Sequence, residues 1–146
     1  MDDYDDSVMV ALLPTTDSWC HIPLPHLTLV YAGEIPDIPK TTYNELLKAA
    51  AMISMTNNPI TLVSIGTDIF GGGDEDEVDV IRLHESDALK AMQRSLHFWN
   101  RSKHKFNPHV TVGPVGSLSH IPETITFDRI MIGWGTSHTI YTLNSL

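Results

Sequence analysis

The sequence predicts an α+β domain in which two helices cover antiparallel sheets arranged as a pseudo-symmetric pair of lobes. Three observations lead there. Two stretches carry apolar residues at helical spacing, and about seven short runs rich in β-branched and apolar residues read as strands. The connections are mostly short, with no linker, repeat array or low-complexity tract, so residues 1–146 make a single domain. Each half also holds one strand of the pattern Pro-His-aliphatic-Thr-aliphatic, PHLTL from Pro25 and PHVTV from Pro108.

In chain order, Ser7 to Leu13 (SVMVALL) is a β-branched, apolar strand ended by Pro14. A loop rich in proline follows, with Trp19 tucked against apolar neighbours. His26 to Ala32 is the second strand, stopped at Gly33. The first helix runs from Pro39 to about Met55, with proline at its entrance and Thr41 or Thr42 as cap. Leu46, Leu47, Ala50 and Ile53 form its apolar stripe. Ile60 to Phe70 and Val78 to Leu83 pair as strands across a flexible, acidic GGGDEDE loop. Ser86 caps the second helix, whose stripe is Leu89, Met92, Leu96 and Trp99. The second PHVTV strand comes next, and Ile125 to Trp134 with Thr139 to Leu143 closes the chain as a hairpin.

Composition excludes several functions. The formal charge of −9 opposes non-specific binding to long nucleic acid. No apolar run is long enough to cross a bilayer, and MDDYDDSV lacks the positive start of a signal peptide. A lone cysteine, Cys20, allows no internal disulfide, which points to a reducing, cytoplasmic setting. Five of the nine basic residues (Lys90, Arg94, Arg101, Lys103 and Lys105) precede the second PHVTV. The plain reading is a solvated face, with one or two placed to steer phosphate.

The two His-x-Thr strands carry the chemistry. Alternation puts His26, Thr28 and Val30 on one face and Leu27, Leu29 and Tyr31 on the other, so Tyr31 points away from the site. Likewise His109, Thr111 and Gly113 share a face, with Gly113 leaving room beside Thr111 for a substrate group. An isolated His-x-Thr is most simply a strand histidine satisfied by a neighbour. Two copies that share the preceding proline and both aliphatic positions call for a common cause. Two imidazoles and two hydroxyls around one point suit phosphodiester cleavage without a metal. One neutral histidine accepts the nucleophile's proton, the other protonates the leaving oxygen, and the threonines donate to non-bridging oxygens. A zinc site is disfavoured, since no HExxH or paired cysteines occur and zinc wants three or four ligands. His84-Glu85-Ser86 is assigned to structure through its cap. His21, His97, His104, His120 and His138 are read as surface or packing residues.

HLTLVY, HVTVGP and the entry FNPHVTV resemble the 2H phosphoesterase superfamily, the LigT-like group with two His-x-Thr/Ser motifs. The resemblance implies two lobes, each a small antiparallel sheet with a helix, around a central cleft. It implies His26 and His109 as acid and base, Thr28 and Thr111 as phosphate binders, and no metal or cofactor. Members include RNA 2′,3′-cyclic phosphodiesterases, 2′–5′ ligase-like enzymes and viral proteins that linearise cyclic oligonucleotide signals of bacterial defence. The acidic, short chain narrows this to a small nucleotide phosphodiester, a cyclic oligonucleotide or a 2′,3′-cyclic phosphate. The alternatives are an RNA-processing 2′,3′-cyclic phosphodiesterase or 2′–5′ ligase-like enzyme, or a non-catalytic nucleotide-binding module.

Overall fold

The computed structural model of the chain describes residues 6–72 and 75–144. The elements are β1 (Ser7–Pro14), β2 (Leu27–Glu34), α1 (Lys40–Thr56), β3 (Ile60–Gly72), β4 (Glu75–Leu83), α2 (Asp87–Ser95), β5 (His109–Pro114), β6 (Thr124–Trp134) and β7 (Ser137–Thr142). Seven strands and two helices are the expected inventory. Residues 1–5, at the acidic start of the chain, lie outside the described residues. So do Gly73 and Asp74 of the predicted acidic loop; the rest of that stretch is strand, and β3 and β4 form one long hairpin.

All pairings are antiparallel, in the path β2-β1-β6-β3-β4-β5, with β7 on β6. The lobes are therefore joined rather than separate. Ile60–Val63 of β3 pairs with β6, whereas Ser64 onward pairs with β4. The change of partner falls at a bulge between Ser64 and Gly66, where Gly66 adopts φ +143°. That backbone is open to glycine and rare for other residues.

One hydrophobic core spans both halves. It joins Val10, Leu12, Leu27 and Phe127 to Ile81, Leu83, Val110 and Val112, with Leu46 of α1 and Leu89 of α2 packed on. Trp19 is buried in it, as expected. Burial of this apolar surface, at roughly 25 cal/mol per Å², is the main force holding the lobes in register. Met9, Ala11, Leu13 and Met131 form a smaller buried cluster on the opposite side of β1 and β6.

The helix ends differ from expectation in one case. Ser86 does cap α2, its hydroxyl accepting from the Leu89 amide at 3.2 Å. α1 has no side-chain cap: Pro39 precedes its first residue, and Thr41 and Thr42 already lie within the first turn. Pro39 stands at the N-cap with no side-chain acceptor, and the Thr42 amide donates to its carbonyl at 3.0 Å instead. α2 stops at Ser95, and a 3₁₀ turn over His97–Trp99 completes the predicted stripe by packing Trp99 against the core.

Candidate active site

β2 and β5 terminate the strand path at opposite ends, yet the sheet curls until the two approach each other. Their outer edges are covered by loops. The Arg101 amide donates to the Tyr31 carbonyl at 2.7 Å, and the His21 amide donates to the Val112 carbonyl at 2.8 Å. Between β2, the β3–β4 hairpin and the segment after α2 lies a cavity of about 590 Å³, within the ~300–1,000 Å³ usual for small-molecule sites. Thr28 from one motif and His109 from the other both line it. His26 and Thr111 are not among the lining residues: His26 precedes Thr28 by two residues, just ahead of β2, and Thr111 follows His109 by two on β5. No bulge falls between His109 and Thr111, so these two share a face of β5, whereas His26 stands immediately before the first paired residue of β2, Leu27.

The repeated proline now has a physical explanation. His26 Nδ1 lies 3.1 Å from the Leu24 carbonyl, and His109 Nδ1 lies 2.7 Å from the Asn107 carbonyl. A carbonyl only accepts, so each Nδ1 carries the proton and donates it. Each ring is thus tied back to the carbonyl two residues earlier, across the intervening proline (Pro25 or Pro108). Proline holds φ near −65° and stiffens the short loop that this bond closes. Leu24 adopts φ +52°, the one positive φ outside glycine among the described residues. Local strain at the carbonyl that orients a histidine is the kind a functional site retains. In the neutral ring, Nε2 is then the basic nitrogen at both positions.

The surroundings distinguish the two rings. Phe70 stacks edge-on against His109, with ring centroids 4.6 Å apart and planes at 71°. Burial lowers the His109 pKa below the ordinary value of 6.5, opposed more weakly by the Asn107 carbonyl, which favours the charged ring. His109 is accordingly neutral at pH 7. The Thr28 hydroxyl has only a weak acceptor, Met9 Sδ at 3.9 Å, and so can be recruited by a ligand.

Two expectations are corrected. The strict alternation of β2 fails, because register shifts pair Met9 with Tyr31, Val10 with Val30 and Ala11 with Thr28. Leu29 is the extra residue of a bulge, and Leu29 and Val30 are both buried. The bulge brings Tyr31 back to the side of Thr28, where it lines the cavity. Its hydroxyl donates to Glu34 Oε1 at 2.6 Å, and this bond foremost, then burial, pushes its pKa up to about 12. The room expected beside Gly113 is filled. A Cβ there would meet Ser117 Oγ at 2.8 Å and His21 Cβ at 3.2 Å, so the glycine serves packing.

Of the five basic residues before β5, Lys105 alone lines the cavity, together with His104, which sequence reading placed on the surface. Phe70 and Phe106 supply aromatic walls, and Gln93 and Asn100 supply amides. In sequence, the clustering of basic residues before Pro108 pointed toward Lys105, and Phe70 is one of the aromatic residues, with Tyr31, Trp99 and Trp134, that could stack a base. No carboxylate lines the cavity among the described residues, in a chain whose net charge is −9. Cys20 is packed under β5, its thiol near the Thr111 and Val112 carbonyls and its pKa raised by burial, and is a packing residue. Among the described residues no three His, Cys, Asp or Glu are grouped to hold a metal ion, and no helix is long and apolar enough to cross a membrane.

No family model matches the sequence, and no curated protein matches it. Solved structures do resemble it. Kluyveromyces marxianus Usb1 with uridine monophosphate is 9% identical with a TM-score of 0.67, covering 96% of this chain and 99% of that one. TT0787 of Thermus thermophilus is 14% identical with a TM-score of 0.63, covering 94% and 97%. E. coli LigT complexed with 3′-AMP is 16% identical with a TM-score of 0.52, covering 95% of each chain. At such identities the likeness is one of fold, and it extends over nearly the whole chain. The chain has the 2H phosphoesterase fold that its two His-x-Thr strands led us to expect.

Proposed function

We propose that this protein is a phosphodiesterase of the 2H phosphoesterase superfamily, cleaving a small nucleotide phosphodiester by two-histidine acid–base catalysis without a metal. The observation that carries the reading is the matched anchoring of both histidines. Each Nδ1–H is tied to the carbonyl two residues earlier, leaving Nε2 as the working nitrogen, with a threonine two residues further along the chain.

In this mechanism His109, kept neutral by burial, takes a proton from the attacking water through Nε2. The new P–O bond forms as the bond to the leaving oxygen breaks, and His26, as imidazolium, protonates that oxygen through its own Nε2–H. Thr28 and Thr111 donate to the non-bridging oxygens, where charge builds in the transition state. The products are a phosphate monoester and an alcohol, and solvent exchange restores both protonation states. Lys105 adds positive charge at the cavity, while Tyr31, Phe70 and Phe106 supply faces on which a base can stack. The cavity volume and the absence of lining carboxylates among the described residues support a compact anion, a cyclic oligonucleotide signal or a 2′,3′-cyclic phosphate, over long RNA.

The test is a panel of 2′,3′-cyclic mononucleotides, cyclic di- and trinucleotides and single-stranded RNA, with products identified by mass. A gain of one water in a small cyclic substrate is expected. If no diester is opened, or if the His26→Ala/His109→Ala double variant opens it equally well, the reading is wrong.

A further inference from the structure

Arg82 has no role in the mechanism above, yet its placement is unusual. In the β4–β5 ladder it is the direct partner of His109, and in the β3–β4 ladder it faces Gly66. Directly opposed residues of antiparallel strands project from the same side of the sheet. Gly66, Arg82 and His109 therefore form one row, and Thr111, paired with Val80, extends the same face. Arg82's neighbours Ile81 and Leu83 are fully buried in the core on the other face.

A guanidinium offers five N–H donors and is always charged. Arg82 Nε is shut away from solvent with no hydrogen-bond partner, the one buried side-chain nitrogen or oxygen in that condition among the described residues. The ion pair found among those residues is Arg129 with Asp128, so no carboxylate among them neutralises Arg82. A buried, unsatisfied donor on a charged group is costly and calls for a partner the chain itself does not supply. On the β3 side of the row, a Cβ on Gly66 would meet nothing within 4 Å, so the row is open at the position facing Arg82.

We propose that Arg82 is a phosphate-anchoring residue, its guanidinium gripping two oxygens of the substrate phosphate from the row that carries His109. The inference rests on the phosphodiesterase reading for its substrate but adds a residue that neither motif contains. A planar fork fits two phosphate oxygens at once, which a lysine does not. The threonines then donate to the phosphate as neutral groups while Arg82 supplies the fixed charge.

The probe is inorganic phosphate, titrated by calorimetry into wild type, Arg82→Gln and Arg82→Lys. Arg82→Gln should lose tenfold or more in phosphate affinity while its melting temperature stays near wild type. Arg82→Lys should fall between, keeping the charge but losing the fork. In turnover assays the loss should appear in KM as well as kcat, and guanidinium ion should partly rescue Arg82→Ala, which a packing role would not allow. A second measurement needs no variant that must fold well: in wild type, the Arg82 Nε–H resonance should move on phosphate saturation. Unchanged phosphate affinity in Arg82→Gln, or an unmoved Nε–H signal, overturns the proposal. If phosphate binding depends on Arg82 but no diester is cleaved, the catalytic reading fails and the anchor stands. If a diester is cleaved and Arg82→Gln matches wild type in KM and phosphate affinity, the anchor fails alone.

Discussion

Replacing Gly113 with alanine puts a methyl group 2.8 Å from Ser117 Oγ, 3.1 Å from Ser117 Cβ and 3.2 Å from His21 Cβ. Ser117 cannot swing aside freely, because its hydroxyl donates to the Pro114 carbonyl. His21 is held too, through its amide on Val112. Overpacking of this kind costs about 1–3 kcal/mol. For a domain of this size 1 kcal/mol moves Tm by ~2–4 °C, so thermal unfolding should drop by roughly 2–12 °C. The strain falls on β5 between Thr111 and the turn at Gly116, so kcat should decline along with stability. Ser117→Gly added to Gly113→Ala should restore part of both, the His21 contact remaining. The assay is differential scanning calorimetry beside steady-state kinetics on the best diester found. An unchanged Tm with a raised KM alone would refute the packing account and return Gly113 to the role that alternation suggested, room for the substrate.

The remaining expectations concern the chemistry. His26→Ala and His109→Ala should each lower kcat by ~10²–10⁴ with native circular dichroism, and the double variant should fall far short of the product of the two losses. Activity should survive excess EDTA; loss on chelation with recovery on adding zinc or manganese would sink the metal-free scheme. The acidic limb of the kcat/KM profile should lie below 6.5, since burial lowers the His109 pKa and the base must be neutral. Phe70→Ala, which uncovers that ring, should move the limb upward. The matching contribution to stability is present above the ordinary histidine pKa and is lost as pH falls through the lowered folded-state value, which urea titrations across acidic pH would reveal. For a substrate held by one or two phosphates, log kcat/KM should change little with log salt. Long single-stranded RNA making many contacts would show about 0.7 per phosphate, and faster RNA cleavage at low salt with a steep slope would overturn the small-substrate reading.

Local signals in the chain were enough for the element inventory and for picking out the two His-x-Thr motifs, of which Thr28 and His109 line the cavity. SVMVALL, the cap at Ser86 and the proline before α1 act through neighbours within a few residues, so pattern alone reveals them. The two histidines and two threonines were legible because the same short pattern recurs 83 residues apart, from His26 to His109. Other features depended on which strand lies beside which. Tyr31 joined the cavity only because β2 bulges at Leu29 against β1, a register shift that strict alternation hides. Gly113 lost its expected opening because the turn at Ser117 and the loop at His21 fold over β5. Arg82 stands beside His109 only through the β4–β5 ladder, across 27 residues of sequence, 82 to 109. Periodicity reports the face a side chain takes on its own strand, and it reports that much from sequence. Bulges, register and the packing of loops over edges arise from pairing between distant segments, and those only the tertiary structure decided.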